Sequence, residues 1–239
     1  MKVFILSAGL GIRLKPLTND RPKVMVPIGG QPVLEHLINL CSFHGFKDII
    51  INLHHLPEVI TNYFQDGNKF GVHINYSREI DKILGGAGAI KHASALLGNE
   101  PFFLLNGDVM TNVNLKAMVK FHQDKGGLAS FLVHQTDHPL DSDLVEFDDQ
   151  QLIKRFFRPQ MGDEFKPIAK TGTHIFNPEI LNFIPEGLEY SLEKQLLPNL
   201  LTKGKKLYAY YSNCYSKDMG TLARLKQVEK DYQNGQITF

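Results

Sequence analysis

Short strand-like apolar runs alternate with stretches of helical spacing through the first half of the chain. Val3-Phe4-Ile5-Leu6 is the first such run, and Ile49-Ile50-Ile51-Asn52-Leu53 and 72–76 follow, then Phe102-Phe103-Leu104-Leu105. Between them, 32–43 places Val33, Leu34, Leu37, Ile38 and Leu40 on one helical face, and 57–64 and 88–97 also read as helices. Runs apolar on both faces do not suit a half-exposed antiparallel sheet. Alternation of this kind predicts a mainly parallel sheet covered on both faces, a three-layer α/β sandwich. In such sheets ligands bind beyond the carboxyl ends of the strands. Two polar segments fall at those ends: Ser7-Ala8-Gly9-Leu10-Gly11 after the first run and Asn106-Gly107-Asp108 after the fourth. They are expected to be neighbours.

The second half is more mixed, with strands expected over 128–134, 144–147, 152–157 and 171–176 and helices over 191–201 and 221–232. No linker, repeat or low-complexity tract divides the 239 residues, so one domain over 1–239 is expected. Lys and Arg number 26 against 25 Asp and Glu. A balance this even lacks the basic face of a nucleic-acid or membrane-surface protein. No apolar run approaches membrane length, and the opening residues lack an export-signal pattern, so a cytoplasmic location is expected. Cys41 and Cys214 form neither a ligand cluster nor a disulfide framework and read as reduced thiols. His54-His55 at a strand end has no metal-ligand spacing around it.

Two glycines and a cation directly after a buried strand suit a phosphate. Bare backbone N–H groups can approach its oxygens, and Arg13 can balance its charge. The stretch matches neither the Walker pattern nor the full dinucleotide fingerprint, which needs a third glycine. Its continuation is more specific: Arg13-Leu14-Lys15-Pro16-Leu17-Thr18, then Arg21-Pro22-Lys23-Val24-Met25-Val26-Pro27-Ile28. The prolines flanking Lys23 predict a stiff extended strand that presents one lysine.

These segments together resemble the signature of the sugar-1-phosphate nucleotidyltransferases. Later pieces follow in that family's order: Leu84-Gly85-Gly86-Ala87-Gly88, Asn106-Gly107-Asp108, Thr171-Gly172, Glu193-Lys194 before Pro198, and Asp218-Met219-Gly220-Thr221. The resemblance implies a Rossmann-like fold and the reaction of a nucleoside triphosphate with a sugar 1-phosphate to give a nucleotide sugar and pyrophosphate. It implies a nucleotide-binding part over about 1–110 and a sugar-phosphate part in the remainder. Catalytic roles fall on Arg13, Lys23 and Asp108. Nucleotide contacts fall on Ala8, Gly9, Gly11, Arg13, Gly85 and Gly86, and Mg²⁺ ligation on Asp108 and Asp218. Substrate contacts fall on Asn106, Arg158, Gly172 and Glu193. On this reading Gly11 serves the ligand, and a methyl group there is expected to damage nucleotide binding more than stability.

The chain departs from the family pattern at Ile12, where Thr is usual, at Ser216 and Leu222, and at Phe157-Arg158-Pro159 in place of Glu-Lys-Pro. Its compact form resembles short mannose- or heptose-1-phosphate guanylyltransferases, which implies GTP. The alternative is UTP with an N-acetylmuramate- or glucose-type 1-phosphate. Neither excludes a homodimer. Asp141-Ser142-Asp143 fits the D-x-D of a metal-dependent glycosyltransferase literally, although its place between Pro139 and a short strand suits a turn. A non-catalytic nucleotide sensor is the remaining rival, and the presence of Arg13, Lys23, Asp108 and Asp218 argues against it.

Overall fold

Strand β1 (Lys2–Leu6) sends Val3 and Ile5 into one apolar cluster and Phe4 into another, with all three fully buried. Burial on both faces requires a cover on each side, and that requirement organises the molecule. Each such side chain removed from water contributes roughly 1.5–3 kcal/mol. The structure is a computed structural model and describes residues 1–237.

After β1, β2 (Pro27–Ile28) and β3 (Gln31–Pro32) form a two-residue ribbon that leads into α1 (Val33–Phe43). Then come β4 (Asp48–Leu53), α2 (Pro57–Phe64), β5 (His73–Arg78), α3 (Gly85–His92), α4 (Ser94–Leu97) and β6 (Phe102–Asn106). The second half contains β7 (Val109–Thr111), α5 (Leu115–Lys125), β8 (Ala129–Gln135), β9 (Leu144–Phe147), β10 (Ile153–Phe157) and β11 (Ile168–Phe176). It closes with α6 (Leu197–Thr202), β12 (Leu207–Tyr211), β13 (Ser216–Asp218) and α7 (Leu222–Gln233).

The central sheet runs β10-β9-β11-β6-β1-β4-β5, and β8 pairs with β11 and β12. The pairs among β6, β1, β4 and β5 are parallel, whereas β11 lies antiparallel to β6, β8 and β9. The sheet is thus mixed, with three parallel pairs supplied by the alternating N-terminal segment and a fourth, β8 with β12, by the second half. One face is covered by α1, α2 and α5 and the other by α3, α4 and α6, which gives the expected three layers. A third, smaller cluster joins Leu14, Val26, Ile28 and Val33 to Met110, Met219, Leu225 and Val228. It docks α7 and β13 against the segment that follows β1. Among the described residues no helix is long and apolar enough to cross a membrane.

The observed elements differ from the expected ones in three places. The helix expected over 88–97 begins at Gly85 and breaks at Ala93. Its early start is supported by Tyr190, whose carbonyl accepts from the otherwise unpaired N–H groups of Ala87 and Gly88. The helix over 191–201 opens as a π-helical turn, Leu192–Leu196, before α6. Pro198 offers no N–H, so the regular ladder cannot run through it. The extended strand expected around Lys23 is a 3₁₀ turn, Lys23–Met25, closed by Met25 N–H to Pro22 O at 2.9 Å. Consecutive Val24 and Met25 are both buried, which a one-sided extended strand cannot achieve. Cys41 is buried and its thiol is pushed up to about 12 by burial, and burial also raises Cys214. Both are free thiols, as expected.

His174 in β11 is fully buried against Phe131 and Phe176, and neither ring nitrogen has a hydrogen-bond partner. Burial holds it neutral, with its pKa well below the usual range. A folded pKa below the unfolded value of about 6.5 means that the unfolded chain binds the extra proton, so stability is lost as pH falls below about 6.5. His174→Phe removes two unsatisfied polar atoms and should raise unfolding free energy by about 1–3 kcal/mol, with a weaker decline between pH 6.5 and 5. Urea titrations at both pH values check this. An unchanged or less stable variant would show that the ring is accommodated at no cost.

Candidate active site

Leu6 and Asn106 end adjacent parallel strands in direct register, so the two polar segments meet as expected. Gly107 N–H donates to Leu6 O at 2.9 Å, and a Cβ at Gly107 would lie 2.6 Å from that oxygen. Only glycine lets the chains approach this closely. The segment then turns through Ile12–Leu14 in a 3₁₀ conformation.

Gly11 starts that turn at φ +63°, and Thr18 Oγ1 donates to its carbonyl at 2.9 Å. A Cβ on Gly11 would meet Thr18 Cγ2 at 2.9 Å and Lys23 Cβ at 3.1 Å. The expectation that a methyl group there would spare stability is therefore corrected: the fold itself requires Gly11. Gly9 differs, since a Cβ there meets nothing within 4 Å and its φ is ordinary.

Asp108 follows β6, and Asp218 ends β13. The register pairs Asp218 with Val109, and Met219 N–H donates to Asp108 O at 3.0 Å, so two residues 110 positions apart become backbone neighbours. Each carboxylate already has a cation. Lys23 Nζ donates to Asp108, and Arg224 Nη1 donates to both Asp218 oxygens at 2.9 and 3.0 Å. Gly220 N–H donates to Asp218 Oδ1 at 2.8 Å. Among the described residues no group of three or more His, Cys, Asp or Glu is placed to hold a metal. The pair alone suits Mg²⁺, which takes one or two carboxylates and completes its shell with phosphate oxygens and water.

Two cavities flank this junction. One, of about 770 Å³, lies under the Gly-rich segment and is lined by Ala8, Gly9, Gly11, Lys23, Gly85 and Gly86. The other, of about 940 Å³, is lined by Arg158, Gly172, Asp218 and the 134–138 segment. Arg13, Asn106, Asp108 and Glu193 line both. Every site residue expected from the sequence therefore borders one cavity or the other. Gly172 has a packing reason as well, since a Cβ there would meet the Asn106 side chain at 2.6 Å.

The charge pattern is informative. Lys23, Arg158, Lys170, Lys217 and Arg224 each pair with a carboxylate: Asp108, Asp143, Glu193, Asp231 and Asp218 respectively. Arg13 is exposed and, among the described residues, makes no ion pair or hydrogen bond. It is the cavities' one uncompensated Lys or Arg among those residues. The Asp143 contact raises Arg158 above its ordinary value, and Arg224 Nη2 holds Asp141 at 2.6 Å. Asp141 and Asp143 thus anchor a turn to two arginines. Burial first, then nearby His138, lowers His134, which is neutral at pH 7.

Sequence reasoning missed Glu79, Lys170 and Arg224. Glu79 is buried in the wall of the smaller cavity. Its oxygens accept from Asn52 Nδ2 at 2.6 Å and Leu84 N–H at 2.7 Å. Its place five residues before the Leu84-Gly85-Gly86 loop was the available signal. Lys170 stands directly before Thr171-Gly172, and Arg224 three residues after Thr221.

Residues 2–235 match the model of the family described as Nucleotidyl transferase. A UTP–glucose-1-phosphate uridylyltransferase from Synechocystis sp. is 36% identical over 92% of this chain and 60% of its own length. A mannose-1-phosphate guanylyltransferase from Mycobacterium tuberculosis is 30% identical over 91% of this chain and 60% of its own. The chain therefore spans about 60% of the length of these curated relatives. Among solved structures, HddC from Yersinia pseudotuberculosis complexed with GMP-PN superposes with a TM-score of 0.82 at 24% identity, covering 97% of this chain and 99% of that one. UTP-bound UGPase from Acinetobacter baumannii gives 0.81 at 20% identity, covering 97% and 92%. At such identities the structural likeness speaks to the fold.

The two glycines of the opening segment separate fold from ligand. Gly11→Ala should lower unfolding free energy by about 1 kcal/mol or more, because both its φ and its neighbours oppose a side chain. Gly9→Ala should melt within a degree or two of the parent while weakening nucleoside triphosphate binding. Melting curves and calorimetric titration on one preparation check both. A Gly9→Ala protein with parental affinity would remove Gly9 from the binding surface.

Proposed function

The chain belongs to the nucleotidyl transferase family, and from that premise we propose that it transfers a nucleotidyl group from a nucleoside triphosphate to a sugar 1-phosphate, releasing pyrophosphate. One observation carries the reading: two cavities meet at Arg13, Asn106, Asp108 and Glu193, as transfer between two bound substrates requires. Residues up to Asp108 supply most of the smaller cavity and later residues most of the larger. That distribution supports a nucleotide half over about 1–110 and a sugar-phosphate half beyond, within one domain.

The attacking oxygen of a sugar phosphate is already anionic, so no general base is needed. The difficulty is to bring two polyanions into line. Arg13, uncompensated and at the junction, offers a planar fork to the departing β- and γ-phosphates. Lys23 lies beside Asp108 and gives a compact positive charge near the α-phosphate. The N–H groups of the Ala8–Gly11 segment add dipoles at the same end. A divalent ion, when bound, neutralises phosphate charge as a Lewis acid, and Asp108 and Asp218 would hold it. Asn106, Gly172 and Glu193 line the sugar side, with Arg158 further out on the rim.

Glu79 favours guanine. An ionised carboxylate only accepts hydrogen bonds, and guanine presents two adjacent donors, N1–H and the 2-amino group. Uracil presents a single N–H between two carbonyl oxygens, which a carboxylate repels. This supports GTP with a mannose- or heptose-type 1-phosphate. Uridylyl transfer to a glucose-type 1-phosphate is the second reading, favoured by the higher identity to the uridylyltransferase relative.

Incubation with Mg²⁺, each of the four nucleoside triphosphates and a panel of sugar 1-phosphates should release pyrophosphate, fastest with GTP. Silence across the whole panel would overturn the assignment. Glu79→Gln should raise KM for GTP by roughly 10-fold or more, the size of losing a hydrogen bond to a charged group, and narrow the gap to UTP. An unchanged base preference would remove Glu79 from base selection.

Arg13→Lys keeps the charge but loses the fork, and should lower kcat by roughly 100-fold with melting unchanged, because the side chain supports no other part of the fold. Unaltered steady-state kinetics would return Arg13 to an ordinary surface role.

A further inference from the structure

Lys170 sits in β11 on the wall of the larger cavity, and its backbone N–H donates to Asp143 O at 3.0 Å. Its side chain is only 6% exposed, and Nζ donates to Glu193 Oε1 at 3.0 Å. Among the described residues Nζ has no other partner. An ammonium group has three donors, so two are unused on a side chain that is itself almost closed to water. Leaving them so is unfavourable unless something in the cavity accepts them.

The neighbouring charge says what that acceptor is. Glu193 already neutralises Lys170 and still has Oε2 free of any partner among the described residues. A phosphate or carboxylate placed against Lys170 would face the Glu193 carboxylate at close range. A hydroxyl group meets no such repulsion, because its oxygen accepts from Nζ while an adjacent O–H donates to Glu193. Arg158 cannot replace Lys170 in this role, since it is exposed at the rim and bound to Asp143.

We propose that Lys170 is a specificity-determining residue that, together with Glu193, reads adjacent hydroxyls of an uncharged sugar ring and disfavours sugars with a carboxylate at that edge. This rests on the proposed sugar-phosphate site and narrows its substrate class. A buried ammonium donor beside a partly exposed carboxylate acceptor makes the position of ring hydroxyls, rather than net charge, the selected feature.

The test compares the parent protein with Lys170→Met, using mannose 1-phosphate, its singly deoxygenated analogues and N-acetylmuramate 1-phosphate. Calorimetric binding is measured in the presence of a non-hydrolysable GTP analogue, alongside pyrophosphate release. Lys170→Met should weaken mannose 1-phosphate by roughly 10- to 100-fold, the range for hydrogen bonds to a charged group, and leave KM for GTP unchanged. Removal of one particular hydroxyl should cost the parent a similar factor and cost the variant little. Parental sugar affinity in a folded variant, or a parent that prefers N-acetylmuramate 1-phosphate, would overturn the proposal. If Lys170→Met does not fold, Lys170→Gln, which keeps one donor towards Glu193, is judged by the same two criteria. The binding arm needs no turnover. A protein that binds these sugars with the expected Lys170 dependence but releases no pyrophosphate would therefore refute the transfer reading alone.

Discussion

The parallel pairing of β1 with β6 is the constraint on which the candidate site depends. Because Leu6 stands opposite Asn106, both strands stop at the same level and on the same side of the sheet. The N–H of Gly107 closes the gap by bonding to Leu6 O. From that shared edge one chain leaves towards the Gly-rich segment and the other towards Asp108. A slip of one residue would turn Phe4 to the face of Val3 and Ile5 and move Asp108 away from Lys23. Core packing and site geometry are therefore fixed by a single register.

Charge compensation is the second level of organisation. Burying or half-burying cations is unfavourable unless each has a partner, and around the two cavities almost every one does. Lys23 and Arg224 balance the two carboxylates suited to a metal, and Lys217 balances the buried Asp231, which also accepts from Tyr215 Oη at 2.8 Å. Against this pattern Arg13 stands out, because among the described residues it is the cation left uncompensated at the meeting of the two cavities, which supports its proposed role opposite the phosphates. The same reasoning gives Asp141 and Asp143 their place. Each anchors the 139–143 turn to an arginine, which accounts for both carboxylates without a metal-binding D-x-D.

The small third cluster shows how the end of the chain completes a site begun at its start. Met219, Leu225 and Val228 pack with Leu14, Val26 and Val33, holding α7 and β13 over the segment after β1. Asp218 reaches Asp108 because β13 pairs with β7 and because α7 is held there by Met219 and its neighbours. Arg13 and Asp218 then both come close to Gly220, where a Cβ would meet Asp218 Oδ1 at 2.6 Å and Arg13 Nη2 at 3.1 Å.

The sequence by itself determined the layered α/β architecture, since runs such as Ile49-Ile50-Ile51 must be covered on both faces and the intervening helices supply the cover. It also marked many of the residues that border the two cavities, because the Gly-rich segment and Asn106-Gly107-Asp108 lie at strand ends where local chemistry is visible, and Thr171-Gly172 falls at an irregularity in β11. Tertiary structure alone decided the rest. The 3₁₀ turn at Lys23 follows from burying both Val24 and Met25, and the early start of α3 follows from the distant carbonyl of Tyr190. Gly11 looked like a ligand-facing glycine, yet Thr18 and a left-handed φ make it a requirement of the fold. Lys170 and Glu79 are marked in the sequence only by their nearness to Thr171-Gly172 and to the Leu84-Gly85-Gly86 loop. Their importance comes from burial and from partners far along the chain or across the sheet, such as Glu193 and Asn52. Pairings of that kind depend on distances between strands, which no spacing along one strand encodes.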